Sequence, residues 1–331
     1  MSYTHLAAEE RHYIATRHKL QESTTQIAKA LNRNQATISR ELRRNRGKRG
    51  YRHQQAQRLA SQRQAQKNKA VKMTTALIEQ IKVALSKDWS PEQIGGRLKQ
   101  QNEQSISHET IYQYVLKDKR SGGQLYLHLR RHKKPYRKRY GSTTGGPRGI
   151  PNRVDIDQRP EVANQRARLG DWEADTMIGK GHQGALVTLD ERKSKLRLAM
   201  PVNSKQAEPV TQSIQTLLTA LKGWVHTITF DNGKEFVQHE RLAVALACDT
   251  YFAKPYHSWE RGQNENANGL LRQYFPKSMQ LLNVTVEQVK EAVHQLNNRP
   301  RKCLGFQTPY EVFYDLSGIN AKKIIDYALM T

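Results

Sequence analysis

The charge of this chain is divided unevenly between its two halves. Residues 1–150 hold 32 Lys and Arg against 10 Asp and Glu, a net charge of +22, whereas residues 151–331 hold 23 against 20, a net charge of +3. A strongly basic half joined to a nearly neutral half is typical of a polyanion-binding region attached to a region with another task. Nucleic acid fits best, because Lys and Arg neutralise phosphates and release counterions. A solubility tail is the alternative, but the basic half carries periodic apolar residues.

Length and composition exclude several classes of protein. A chain of 331 residues is long enough for two or three domains with cores of their own. The longest apolar run, residues 242–248, is far shorter than the ~20 residues of a membrane helix. The N-terminal residues show no export signal, and the two cysteines, Cys248 and Cys303, are too few for a disulfide framework. A reduced, cytoplasmic compartment is therefore expected.

The first 45 residues predict a helix-turn-helix arrangement. Residues 7–18 form an amphipathic pattern, Ser23 or Thr24 can cap a second helix, and a third helix follows from residue 35. In such an arrangement the last helix enters the major groove and presents amide and guanidinium groups to base edges. An ordinary three-helix bundle with a charged face is the alternative. The candidate DNA-binding residues on the outer face are Asn34, Gln35, Ser39, Arg40, Arg43 and Arg44.

A similar pattern recurs near residue 90. Ser90, followed by Pro91 and Gln93, forms a capping box, and Ser107 can cap a second helix after a longer turn. The apolar residues that correspond to those of the first copy are Ile94, Leu98, Ile111 and Val115. The outward candidates for DNA binding are Ser107, His108, Tyr112 and Gln113. No second metal ligand lies at a useful spacing from His108, so helix capping or base contact is the favoured interpretation.

The composition also divides the chain. Residues 51–66 predict a solvated polar helix, and residues 131–150 combine dense positive charge with Gly, Thr and Pro, which is typical of a linker along a phosphate backbone. A solvated spacer that touches nothing is the alternative for that linker. The predicted organisation is a first helix-turn-helix domain (1–48), a polar helical connector (49–85), a second helix-turn-helix domain (86–130), a basic linker (131–150) and a last domain (151–331).

The last domain reads as an α/β structure. Three short β-rich runs beginning at residues 171, 184 and 195 precede a helix, a strand, a helix, a strand and another helix. This order predicts a mixed five-stranded sheet flanked by helices.

Three carboxylates stand at element ends in this order. Asp175 lies on the first strand, Asp231 follows the fourth, and Glu265 lies in the first turn of a late helix. Carboxylates from neighbouring strands and a covering helix can converge and hold two Mg²⁺ ions about 3.5–4 Å apart, which clamp both oxygens of a phosphodiester displacement. On the first strand Asp171 and Glu173 alternate with Asp175 and share its face, so spacing alone does not select among the three.

Several motifs together resemble a known family. The strings WEAD (172–175), TFDNGKEF (229–236) and NENANGLLRQYFPK (264–277) are similar to those of the insertion sequence 30 family of DDE transposases, relatives of retroviral integrases with an RNase H-like core. Asp231 and Glu265 are separated by 33 residues, a separation that this family shows. The family pattern places the first ligand three residues after Trp172, which selects Asp175. The leading helix-turn-helix and the C-terminal segment are also similar to the family.

The resemblance implies a fold and a reaction. The fold class is an all-α, helix-turn-helix N-terminal half followed by an α/β RNase H-like catalytic domain. Asp175, Asp231 and Glu265 are expected to be the catalytic residues and to hold two Mg²⁺ ions, with Mn²⁺ as a substitute, for DNA strand cleavage and strand transfer. Further DNA contacts are expected from Lys254, Trp259, Arg261 and Arg272. The family's tyrosine position holds Ser258 here, and Tyr256 and Trp259 are the two candidates to replace that tyrosine.

The implied partners are double-stranded DNA, namely terminal inverted repeats and target DNA, and a second copy of the chain in a homodimer or larger assembly. Neither a membrane nor a small-molecule substrate is expected, and the location would be the bacterial cytoplasm, at the nucleoid. Two alternatives stay open. One is a sequence-specific DNA-binding regulator with an inactive nuclease core, and the other is an RNase H-like junction nuclease.

Overall fold

The computed structural model describes residues 5–66, 73–101, 105–130, 149–254 and 262–328. The chain divides into two compact units, Met1–Val71 and Lys72–Thr331. No helix in these ranges is both long and apolar enough to cross a membrane.

The first unit is helical and is built around a small apolar core. Ile14, Ile27 and Ile38 are fully buried at its centre, and a buried ion pair joins Arg11 Nε to Glu41 Oε1 at 2.9 Å. Its elements are α1 (Ala8–Lys19), α2 (Thr24–Ala30), α3 (Gln35–Arg44), the two-residue strands β1 (Arg46–Gly47) and β2 (Gly50–Tyr51), and α4 (His53–Ala65). The three helices expected from the sequence are confirmed, and α4 packs against α1.

Caps define where the two helices of the predicted helix-turn-helix begin. The Ser23 side chain accepts a hydrogen bond from the backbone N–H of Gln26, and Gln26 Oε1 accepts one from the Ser23 N–H, so a capping box starts α2. The Asn34 side chain accepts a hydrogen bond from the Ala36 N–H and starts α3.

The second unit begins with three helices that share one core. They are α5 (Thr75–Ser86), α6 (Pro91–Gln100) and α7 (His108–Arg120). The predicted caps Ser90 and Ser107 are both present. The buried residues of this core are Leu77, Ile81, Leu85, Ile94, Leu98, Ile106, Ile111 and Val115. All residues of α5 except Ser86 belong to the predicted connector (49–85). In the structure the apolar side of α5 packs with the second helix-turn-helix.

A mixed five-stranded sheet forms the rest of the second unit and confirms the predicted fold class. Its strands are β3 (Asp171–Ile178), β4 (Ala185–Glu191), β5 (Arg197–Val202), β6 (Thr227–Phe230) and β7 (Asp249–Phe252), in the spatial order β5-β4-β3-β6-β7. The first three strands pair antiparallel, and β3-β6 and β6-β7 pair parallel. The surrounding helices are α8 (Glu161–Asn164), α9 (Ala207–Thr219), α10 (His239–Leu246), α11 (Gly262–Leu271), α12 (Val286–Asn297), α13 (Pro309–Ser317) and α14 (Ala321–Ala328).

Helices cover both faces of the sheet. One face packs against α9, α10, α13 and α14 through a large apolar core that includes Trp172 and Phe313. The other face packs against α11 and α12 through a smaller core that includes Met177, Leu186 and Ala199. Since side chains alternate along a strand, Asp171, Glu173, Asp175 and Met177 share this second face.

The helices α5–α7 are docked on the segment that follows α12. Gly96 of α6 lies against the Phe306 ring so closely that a Cβ at this position would be 2.2 Å from a ring carbon. Arg97 forms a two-pronged ion pair with Glu311, the N3 residue of α13. Burial acts to raise the pKa of Glu311, but the hydrogen bonds and charge of Arg97, together with hydrogen bonds from Thr308, outweigh it and lower that pKa.

A second docking contact lies at Asp88, in the turn before α6. Its Oδ2 accepts hydrogen bonds from the Tyr274 hydroxyl at 3.2 Å and from Arg299 Nη2 at 3.3 Å. Arg299 is 2% exposed and also donates to the Tyr274 hydroxyl at 2.5 Å. Because Tyr274 lies just past the end of α11, the three-helix region contacts the same segment that carries Glu265.

Candidate active site

The pairing of β3 with β6 brings two of the predicted acids to one level. The parallel register pairs Asp171 with Thr227 and Glu173 with Thr229. Continuing that register by two residues places Asp231, the first residue after β6, beside Asp175. Both side chains are partly exposed. The extended register therefore predicts that the two residues lie level with each other on neighbouring strands.

Local hydrogen bonds orient both carboxylates. Asp175 Oδ1 accepts from the Thr176 N–H at 2.9 Å, and Asp231 Oδ1 accepts from the Gly233 N–H at 2.8 Å in the turn after β6. Asp175 Oδ2 also accepts from Asn268 Nδ2 at 2.7 Å, so a residue of α11 reaches the strand directly. Donors from the following backbone therefore hold both carboxylates, and the α11 side chain of Asn268 also holds that of Asp175.

Glu265 lies on α11, one turn before Asn268. Positions three apart share a face of a helix, so Glu265 belongs to the part of α11 that overhangs the Asp175 end of the sheet. Its side chain is exposed. Among the described residues, no group of three or more Asp, Glu, His or Cys side chains is arranged to hold a metal ion. The register of β3 and β6 is compatible with Asp175 and Asp231 lying near each other, and the meeting of these two acids with Glu265 at a shared ion stays a prediction.

The two other acids of β3 have different surroundings. Asp171 is fully buried, accepts from Thr227 Oγ1 at 2.9 Å and pairs with Arg168 at 3.1 Å. Glu173 is 1% exposed and forms a buried ion pair with Arg192. Both carboxylates are already committed to protein partners, so only the carboxylate of Asp175 is partly exposed at this face.

Several polar residues near the site were not predicted from the sequence. Arg197, 3% exposed, binds Asp190 through two hydrogen bonds and donates to Ala267 O and to Asn268 Oδ1. On the other face, the buried carboxylate of Glu235 accepts from Thr176 Oγ1 at 2.8 Å and pairs with Lys205 at 2.8 Å. Glu235 lies within the motif at 229–236, but the motif does not indicate its partners, which lie far away in the sequence. For Arg197 the signal is a charged residue within an apolar strand.

Of the four residues predicted to contact DNA near the site, the structure describes two. Lys254, partly exposed, pairs with Asp157. Arg272 is half-buried and donates to the carbonyl oxygen of Ile178 at 2.8 Å, at the end of β3, and burial lowers the pKa of its guanidinium. Trp259 and Arg261 lie outside the described residues.

The predicted DNA-reading face of the first unit is open to solvent. All six candidates on and beside α3 are exposed: Asn34, Gln35, Ser39, Arg40, Arg43 and Arg44. Asn34 is also the cap of α3, and Gln35 donates to Thr24 Oγ1 at 3.0 Å across the turn. The remaining outward side chains are the Ser39 hydroxyl and three arginines, whose guanidinium groups can recognise base edges and phosphates.

The corresponding face of the second three-helix region is also open. Ser107, His108, Tyr112 and Gln113 are exposed on α7, although Ser107 is occupied as the cap and Gln113 donates to Glu109 at 2.6 Å. The contacts with Phe306 and Glu311 use α6, so docking leaves the outer face of α7 uncovered.

The donor set at the sheet is chemically suited to Mg²⁺. Asp175 and Asp231 offer hard carboxylate oxygens, the ligands that this ion prefers, and Glu265 is the nearest acid on the covering helix. A pair of such ions can stabilise both the attacking and the leaving oxygen of a phosphodiester displacement.

Comparison with known proteins finds a helix-turn-helix domain and relatives that match over most of the chain. Residues 2–45 match a helix-turn-helix domain family. The chain is 44% identical over 319 residues to the transposase for insertion sequence element IS4351 of Bacteroides fragilis, covering 96% of this chain and 98% of that protein. It is 35% identical over 320 residues to transposase InsI for insertion sequence element IS30C of Escherichia coli (strain K12), covering 93% of this chain and 83% of that protein. The catalytic core domain of BIV integrase aligns at 22% identity with a TM-score of 0.35, covering 44% of this chain and 93% of that one.

Proposed function

Since the chain belongs to the IS30 family of insertion-sequence transposases, we propose that it binds the terminal inverted repeats of its element and cleaves and joins DNA strands by metal-assisted phosphoryl transfer. The observation that supports this most directly is the level placement of Asp175 and Asp231 beneath the helix that carries Glu265.

The roles of the acids follow from their positions. Asp175, Asp231 and Glu265 would hold two Mg²⁺ ions, or Mn²⁺ in their place. The bound ions would supply Lewis-acid chemistry, drawing negative charge away from the scissile phosphate and the oxygens that attack and leave it. Asp175 and Asp231 are held by backbone N–H donors, so the protein sets their orientation before DNA arrives.

Basic residues would hold the DNA strand near these acids. Lys254 pairs with Asp157 in an exposed contact, and such pairs are weak, so a DNA phosphate can compete for the Lys254 ammonium. Arg272 fixes the end of β3 through Ile178 O and retains donors for a phosphate.

DNA recognition would depend on the helical regions. The exposed side chains of α3, above all Arg40 and Arg43, would contact the terminal repeats, and α7 would contact target or flanking DNA. Because two ends of an element must be brought together, we expect a dimer or larger assembly on DNA.

The decisive test separates binding from cutting. We expect purified Asp231→Asn and Glu265→Gln proteins to bind a terminal-repeat duplex within about twofold of wild-type affinity, and to lose strand cleavage with Mg²⁺ by roughly three orders of magnitude or more. Asp249→Asn is the matched control, because Asp249 is exposed at the opposite end of a neighbouring strand. It should bind and cut normally.

Normal cleavage by either variant would overturn the catalytic assignment. A wild-type protein that binds the repeats and cuts nothing under any divalent ion would instead indicate a DNA-binding regulator.

A further inference from the structure

Asn268 connects three parts of the candidate active site. Its side-chain amide donates to Asp175 Oδ2 on β3 at 2.7 Å, and its carbonyl oxygen accepts from Arg197 Nη2 on β5 at 2.8 Å. Thr188 Oγ1 on β4, the residue paired with Asp175 in the sheet register, lies 3.3 Å from the same carbonyl oxygen. One side chain of α11 therefore contacts three adjacent strands.

The direction of this amide is fixed by its neighbours. Arg197 is a donor only, so the atom of Asn268 that faces it is the carbonyl oxygen. The amide nitrogen must then face Asp175. Arg197 has little freedom of its own, because Asp190 holds it through two bonds of 2.8 and 2.6 Å and its other terminal nitrogen donates to Ala267 O at 2.7 Å. The chain Asp190–Arg197–Asn268–Asp175 thus runs from the buried sheet to the site.

We propose that Asn268 is a positioning residue for this site, which holds the Asp175 carboxylate and the helix bearing Glu265 in one arrangement. The proposal rests on the proposed function. Arg197 acts on Asp175 through Asn268 and through the α11 backbone at Ala267. Because Glu265 is one helical turn from Asn268, anchoring α11 at this point also limits how far the first turn of the helix can move relative to β3.

A neutral amide suits this task better than a cation. An arginine or lysine in direct contact with Asp175 would compete with a divalent ion for the carboxylate oxygens. The amide of Asn268 offers one hydrogen bond without a full charge, so it can orient Asp175 and leave its negative charge available. Partners of metal ligands typically contribute 10–100-fold to metal affinity.

The experiment measures ion binding and catalysis separately in the full-length protein. Mn²⁺ binding is followed by the electron paramagnetic resonance signal of the free ion, and strand cleavage is measured with Mn²⁺ across DNA concentrations. The variants are Asn268→Ala and Asn268→Ser. The control is Asn266→Ala, an exposed asparagine on the same helix, and Asp175→Asn defines the signal that belongs to this site.

For both Asn268 variants we expect Mn²⁺ affinity at the Asp175-dependent site to fall about 10–100-fold, with kcat reduced and the KM for DNA within about twofold. Asn266→Ala should match wild type in every measurement. Thermal unfolding without metal, together with repeat binding, identifies any variant that fails to fold; if Ala fails, Ser, which keeps a small polar group, gives the result.

Two outcomes are distinguishable. If Asp175→Asn removes a Mn²⁺ site and abolishes cleavage while the folded Asn268 variants bind Mn²⁺ as Asn266→Ala does, the positioning role is overturned and the proposed function stands. If Asp175→Asn changes neither Mn²⁺ binding nor cleavage, the proposed function itself fails.

Discussion

At the scale of single residues, burial separates three acids that look alike in the sequence. Asp171, Glu173 and Asp175 alternate along β3 and share one face, yet two of them neutralise buried arginine or accept buried hydrogen bonds. The carboxylate of Asp175 is partly exposed beside Asp231. Stability and chemistry are therefore assigned to different members of one alternating set.

The different surroundings of Glu173 and Asp175 predict different effects of two similar substitutions. Glu173→Gln leaves the Arg192 guanidinium, 4% exposed, without its counter-charge, so we expect the free energy of unfolding to fall by about 3–5 kcal/mol. Asp175→Asn should change it by no more than about 1 kcal/mol, the scale of one hydrogen bond, while abolishing cleavage. Urea denaturation of both variants checks this. Equal losses of stability would contradict the division.

Sequence patterns predicted those residues whose role depends on partners a few positions away in the chain. The helix caps Ser23, Ser90 and Ser107 are confirmed, because a cap and its partner lie within three residues. Choosing Asp175 from its neighbours required the family pattern, since alternation treats all three acids alike. Asn268 was not predictable as a partner of Asp175 from any local pattern, because 93 residues separate the two.

At the scale of elements, the docking of α6 involves two residues in an uncommon backbone conformation. Asp88 and Phe306 both have left-handed φ values, 57° and 66°, and both make contacts between the three-helix region and the rest of the second unit. Such conformations cost free energy and persist where the surrounding structure requires them. Gly96 is required for the contact, because any side chain there would meet the Phe306 ring.

A double-mutant cycle tests this contact. Gly96→Ala should destabilise the protein by about 1–3 kcal/mol, since the ring must move and the overpacked contact is lost. In a Phe306→Ala background the same change should stabilise the helix by up to about 1 kcal/mol, the ordinary advantage of Ala over Gly. Gly223→Ala, where a Cβ meets no atom within 4 Å, is the control. The same effect of Gly96→Ala in both backgrounds would rule out the contact.

The order of elements in the last domain was predictable, whereas the grouping of helices was not. Strand and helix periodicity gave β3–β7 and α9–α11 in the correct order. The apolar spacing of Leu77, Ile81 and Leu85 is visible in the sequence, but nothing local says which partner buries it. In the structure α6 and α7 do so.

At the scale of the whole molecule, the division into Met1–Val71 and Lys72–Thr331 separates the two regions that we propose bind DNA. The first unit holds 16 Lys and Arg against 4 Asp and Glu, and it presents the exposed face of α3. The second unit holds the sheet, the candidate active site and α7. Each has its own apolar core.

Removing residues 1–71 should therefore leave a folded protein that has lost sequence preference. We expect Lys72–Thr331 to unfold cooperatively, to bind terminal-repeat and unrelated duplexes equally, and to show a smaller salt dependence of binding than the full chain. Fluorescence anisotropy at several salt concentrations measures this. Retained preference for the repeats would move the recognition role to the second unit, and a preference for branched DNA would favour a junction nuclease.

The packing of α6 against Phe306 and Glu311 ties α7 to the sheet within one compact unit. If Asp175 and Asp231 act as proposed, a duplex held by α7 would therefore meet them at a preset offset along its axis, counted in base pairs of ~3.4 Å rise. Weakening that packing should make the cleavage position variable before it lowers the cleavage rate. Sequencing of the cleaved ends would then show a wider distribution of product lengths.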